Sequence, residues 1–118
     1  MSEERVKWVA LGLDLAIEAA QGKEMVAATI GGKKLVLAQH KGQWHAFQKS
    51  CPHAGGDLYT GWINDKGCVV CPLHRYTFDI RSGKNTSGEG FHLATYPVKE
   101  ERGLWWIGFP KRRWFKWF

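Results

Sequence analysis

Four residues with metal-binding side chains fall into two short segments of this 118-residue chain. The first is Cys51-Pro52-His53-Ala54-Gly55-Gly56, and the second is Cys71-Pro72-Leu73-His74. Each segment sets a thiolate donor close to an imidazole donor. Seventeen residues separate His53 from Cys71, enough for a strand pair that returns the chain beside the first segment. Thiolate and imidazole are the soft and borderline ligands that suit zinc or an iron–sulfur cluster. The single residue between Cys51 and His53 is shorter than the spacing usual in zinc-finger pairs. A proline follows each cysteine and stiffens its loop. Gly55-Gly56 lets backbone come close to whatever the donors hold.

Two loops can meet only if the surrounding elements bring them together. Residues 6–9 alternate and read as a strand. Residues 13–21 are rich in alanine and read as a short helix stopped by Gly22. From residue 25 the chain becomes a series of short strands punctuated by glycine. Met25–Ile30 and Lys34–His40 flank Gly31-Gly32, a hairpin signal. Trp44–Phe47 resumes after Gly42. Gly61–Ile63 and Cys68–Val70 flank a turn at Asn64–Gly67. Arg75–Ile80, Phe91–Val98 and Leu104–Gly108 complete the series, with a polar loop at Arg81–Gly90. Many short strands separated by turn residues predict an all-β fold, a small antiparallel sandwich or barrel.

Composition sets outer bounds. The length suits one domain, expected at 1–110, followed by a basic aromatic tail at 111–118. Apolar residues make up 44% and charged residues 24%, as in globular proteins, and fourteen glycines favour a turn-rich fold. The net charge is +6, but Lys111, Arg112, Arg113 and Lys116 all lie in the tail. A basic balance points to nucleic acid, an anionic membrane surface or an acidic protein partner. No nucleic-acid module surrounds the tail, so nucleic acid is not an expected partner. An odd count of three cysteines does not read as a disulfide framework. Met-Ser-Glu-Glu-Arg carries neither an apolar signal core nor a twin-arginine pair, and no apolar run reaches a transmembrane length. A reducing cytoplasm is the expected location.

Cys-Pro-His, seventeen residues, then Cys-Pro-Leu-His, with Phe78-Asp79 and Ser82-Gly83 beyond, resembles the signature of Rieske proteins. Trp44–Phe47 and Gly61–Val70 fit the same pattern, and the similarity spans roughly residues 5–109. The resemblance implies the Rieske fold, with antiparallel sheets and a small cluster-binding subdomain at one end. It implies a [2Fe–2S] cluster, with Cys51 and Cys71 on the inner iron and His53 and His74 on the outer one. Two neutral imidazoles in place of two thiolates leave the oxidised site formally neutral, so an added electron is easier to accept. The imidazoles can lose a proton, so the potential should depend on pH at high pH.

Departures from the family pattern matter here. Quinol-oxidising Rieske proteins carry an extra cysteine in each loop, joined as a disulfide. The matching positions are Gly56 and Leu73. Those proteins also place serine and tyrosine hydroxyls near sulfur, where this chain has Tyr76 and Phe78. Fewer donors to sulfur stabilise the reduced state less, which predicts a low-potential site. Arg75 stands where the family often has glycine.

Other candidates have plainer readings. Cys68 forms Cys-x-x-Cys with Cys71, but reads as a small buried residue on a strand. His40, His45 and His92 read as ordinary histidines in strand-like stretches. The tail aromatics Trp114, Phe115, Trp117 and Phe118 fit folding back onto the protein, partner docking or interfacial membrane contact. The expected function is a soluble one-electron carrier that is not itself an enzyme. It would resemble Rieske ferredoxins, which pass electrons from a reductase to an oxygenase or similar acceptor. One alternative is a small electron-transfer subunit of a larger oxidoreductase, such as a nitrite reductase. Another is a zinc-stabilised interaction domain. The sequence leaves the oligomeric state open.

Overall fold

The computed structural model describes residues 6–11, 22–53 and 55–110. The helix expected at 13–21 and the tail at 111–118 lie outside these residues. Among the described residues, ten strands form three antiparallel sheets.

The central sheet has the order β2–β3–β4–β8, formed by Met25–Ile30, Lys33–His40, Gln43–Gln48 and Thr95–Tyr96. The turns at Gly31-Gly32 and Lys41-Gly42 hold both central residues at positive φ, the geometry that two-residue hairpins require. They fix the register, with Met25 opposite Ala38 and His40 opposite Gln43. On one side lies β1–β10–β9, from Val6–Ala10, Leu104–Pro110 and Val98–Glu101. On the other lies β5–β6–β7, from Trp62–Ile63, Cys68–Val70 and Thr77–Asp79.

Successive side chains of a strand point to opposite faces, so one strand can serve two cores. In β3, Val36 and Ala38 enter a core with Phe47, Leu58, Val69, Phe78 and Leu93. Leu35 and Leu37 enter a second core with Trp44, Ile107 and Phe109. The first core lies under the Cys–His loops and includes Cys51 and Cys71.

The strands largely follow the sequence pattern, with two corrections. Arg75–Ile80 is a strand only over Thr77–Asp79, because Arg75 and Tyr76 close the second Cys–His loop. Phe91–Val98 is no continuous strand. Pro97 has no N–H for the ladder and separates Thr95–Tyr96 from Val98–Glu101. Among the described residues, no helix is long and apolar enough to cross a membrane.

Candidate functional site

The two cysteine loops are closed in the same way. Cys51 N–H donates to Gly56 O at 2.7 Å, and Gly55 N–H donates to Cys51 O at 2.9 Å. Cys71 N–H donates to Tyr76 O at 2.9 Å, and Arg75 N–H donates to Cys71 O at 3.0 Å. Each loop therefore returns to its cysteine after five residues, with Pro52 or Pro72 at its first corner. The penultimate residue has positive φ in both, 73° at Gly55 and 60° at Arg75. Glycine adopts that conformation without steric cost, whereas arginine does not. The Arg75 guanidinium lies 5.9 Å from the centre of the exposed Trp62 ring, a cation–π contact that offsets part of the strain. This gives Arg75 a role that the sequence leaves open.

Neighbouring elements seat the loops. Asp57 caps the short 3₁₀ turn Leu58–Thr60 by accepting from Tyr59 N–H at 3.0 Å, and its other oxygen pairs with Lys49 at 2.9 Å. Asn64 Oδ1 accepts from Lys66 and Cys68 N–H, both at 3.0 Å, which closes the β5–β6 turn ahead of Cys71. Leu58, Val69 and Phe78 lie fully buried beneath.

The four predicted donors come together as two pairs. Cys51 and Cys71 are both buried and unbridged, and they lie close enough that Cys51 acts on the Cys71 thiol. Burial pushes the Cys71 thiol up and nearby Cys51 adds to the rise, against a hydrogen bond from the Leu73 backbone that lowers it. The rings of His53 and His74 meet edge to face, 4.9 Å apart. His53 Nδ1 is buried and has no hydrogen-bond partner in the structure, and unpaired buried polar atoms are rare. His74 is exposed. Among the described residues, no three or more His, Cys, Asp or Glu side chains are grouped to hold a single metal ion. Thiol beside thiol and imidazole beside imidazole instead match a two-iron unit with one type of ligand at each end. The orphaned Nδ1, the adjacent thiols and the bare backbone at Gly56 all fit such a group. A Cβ on Gly56 would come within 3.1 Å of Cys71 Sγ.

Three further residues shape the site. Tyr76 lays its ring against His53, with centroids 4.0 Å apart, and Phe91 stacks on Tyr76 at 6.2 Å. Phe91 comes from the loop after β7, which Asn85 organises. Asn85 Oδ1 accepts from Glu89 N–H at 2.5 Å and Gly90 N–H at 2.9 Å, while Nδ2 donates to Thr77 O at 3.0 Å. From the sequence, Asn85–Gly90 reads as a plain loop, in a region that the Rieske family often uses to cover the cluster. Its clue is a lone Asn ahead of Ser-Gly-Glu-Gly, a common turn composition. Cys68 is buried, as expected, and Thr86 Oγ1 donates to its sulfur at 3.7 Å. His45 and His40 lie away from the loops, on a separate cleft.

A β-sandwich with two Cys–His loops over one core defines an iron–sulfur electron-transfer domain. Residues 7–97 match the sequence model of the Rieske [2Fe-2S] domain, and the chain belongs to that family. Its cofactor is accordingly a [2Fe–2S] cluster. The chain is 29% identical over 85 residues to the ferredoxin component of an alkene monooxygenase system from Xanthobacter autotrophicus, covering 72% of this chain and 70% of that one. It is 31% identical over 98 residues to the ferredoxin component of the naphthalene 1,2-dioxygenase system of Pseudomonas putida, covering 81% and 89%. The ferredoxin of carbazole 1,9a-dioxygenase from Nocardioides aromaticivorans shares the fold, with a TM-score of 0.66 at 24% identity over 75% of this chain and 86% of that one.

Proposed function

We propose that Cys51 and Cys71 hold the inner iron and His53 and His74 the outer iron of the cluster. On this reading the chain is a cytoplasmic one-electron carrier between a reductase and an oxygenase or similar acceptor. The observation that supports it best is the pairing just described: two buried thiols side by side, and two imidazoles together with one at the surface. The relatives named as ferredoxin components of oxygenase systems support the choice of partners.

When bound, the cluster supplies reversible one-electron chemistry. The chain's own residues set where that chemistry happens and how readily. The apolar floor of Leu58, Val69 and Phe78 excludes water from the cysteine side. Exposed His74, beside the partly buried His53, gives a path to a partner. Phe78 brings no hydroxyl toward sulfur, and Tyr76 turns its ring onto His53. Both features favour a potential near about −150 mV, at the low end of the Rieske range.

Chemical reduction of purified protein tests the reading. It should be reddish-brown, silent by electron paramagnetic resonance when oxidised, and give a signal of about one spin per chain after one-electron reduction. A colourless protein that binds zinc in place of iron would overturn it. His74→Cys adds a negative ligand, so any cluster that assembles in it should have a lower midpoint than the parent. An unchanged midpoint would remove His74 from the ligand set.

A further inference from the structure

A cleft of about 490 Å³ opens beside the central sheet, and none of its lining residues belongs to the Cys–His loops. Its position is set by two turns. Lys41 occupies the β3–β4 turn at φ 53°, which fixes where its side chain leaves the backbone. Arg81 begins the turn after β7, where its N–H donates to Asp79 Oδ1 at 2.7 Å. His40 and His45 line the space between them, and Trp44 and Tyr96 form part of its wall.

The charge in this cleft is one-sided. Two cations and two imidazoles line it, with no aspartate or glutamate among the lining residues. Among the described residues, no carboxylate forms an ion pair with Lys41, Arg81, His40 or His45. Asp79 acts on His45 from nearby, but its Oδ1 already accepts from the Arg81 and Ser82 N–H groups. His45 is pushed below its ordinary range, first by burial, then by the positive charge of Arg81 and His40, with Asp79 opposing. Like charges gathered around a concave opening repel one another unless an anion joins them. The volume falls within the range of small-molecule sites. The aromatic wall suits a ligand with an apolar or planar part.

We propose that this cleft binds a small organic anion bearing phosphate or carboxylate groups, gripped by Lys41 and Arg81. The site is separate from the cluster, and its occupancy does not depend on the electron-carrier reading. Bound negative charge beside His45 would offset the field of Arg81 and His40, so the imidazole would hold its proton to higher pH.

The test uses the full chain with its cluster in place. Nitrogen–proton correlation spectra are recorded while inorganic pyrophosphate is added, and in a second series isophthalate. The expected result is saturable shifts centred on Lys41, His45, Arg81 and Tyr96, with His45 titrating at higher pH in the bound form. A response to pyrophosphate alone assigns phosphate as the recognised group, to isophthalate alone carboxylate, and to both a shared anion class. Lys41→Gln and Arg81→Gln should each weaken binding about tenfold, because each removes a charge-assisted contact. Their cluster absorbance should be unchanged. Lys33→Gln, at the opposite end of β3, should bind like the parent. Shifts spread evenly over the basic surface, equal weakening in Lys33→Gln, or no saturable change with either anion would overturn the proposal.

Discussion

Leu73 lies across the backbone of Gly56, so that a Cβ added to Gly56 would stand 2.9 Å from Leu73 Cδ1. These are the two positions where quinol-oxidising members of the family join their loops by a disulfide. Here the loops still meet at that point, through a leucine packed on bare backbone. Gly56→Ala should therefore disturb the site from both sides. Leu73 is 47% exposed and can rotate away, but Cys71 Sγ, 3.1 Å from the same Cβ, is fully buried. We expect a loss of about 1–3 kcal/mol in urea unfolding and reduced iron content per chain. Leu73→Ala alone should change stability by less than about 0.5 kcal/mol. An alanine at 56 with normal iron content would show that the loop has slack.

Arg75 gives a second, subtler test. Its backbone strain and its contact with Trp62 oppose each other. Arg75→Gly removes both, and should stay within about 0.5–1 kcal/mol of the parent. Arg75→Ala keeps the strained φ and loses the ring contact, so it should be the less stable of the two. The order of the two midpoints in urea checks this; alanine at or above glycine would refute the strain at position 75.

Phe78 is fully buried beneath the cysteines and offers sulfur no hydroxyl. A redox titration of the parent should give a midpoint near about −150 mV, and Phe78→Tyr should move it upward by adding a donor. The extra oxygen also enters a filled core, so some loss of stability is expected alongside. A clearly positive parent midpoint would defeat the argument from missing hydroxyls.

The loop that carries Phe91 should respond to acid. Hydrogen bonds from Ser87 and Asn85 hold the Glu89 carboxyl below its ordinary range. Its folded form therefore favours the ionised state. That contribution is present above the ordinary value of 4.5 and is lost as pH falls through the lowered one. Amide exchange of Glu89 and Gly90, corrected for intrinsic rates, should accelerate on acidification below that range. Asn85→Ala should show fast exchange at every pH, because both N–H groups lose their acceptor.

The sequence made the two Cys–His segments and most strands legible because both rest on local signals. Cysteine, proline and histidine at fixed spacing mark the loops, and paired residues such as Gly31-Gly32 mark the hairpins. Contacts between distant segments were not legible. Phe91 reaches His53 only because Asn85 folds its loop back onto β7, which no periodicity reveals. Tyr76 could be seen to be too long to replace a serine like for like, but not to stack on an imidazole. Arg75 looked anomalous because its φ is a property of the closed loop. The basic cleft was equally hidden: Lys41 and Arg81 lie forty residues apart, on turns of different sheets, and line one cleft only once the chain is folded.

β3 serves as a shared wall, with Val36 and Ala38 facing the cysteine loops and Leu35 and Leu37 facing the opposite core. A displacement of either loop would have to be accommodated in close-packed side chains on both sides of one strand. Such a mounting resists adjustment when charge arrives or leaves. With the cluster held by the loops as proposed, such a mounting would keep nuclear positions nearly the same in both oxidation states and so lower the reorganisation energy of transfer.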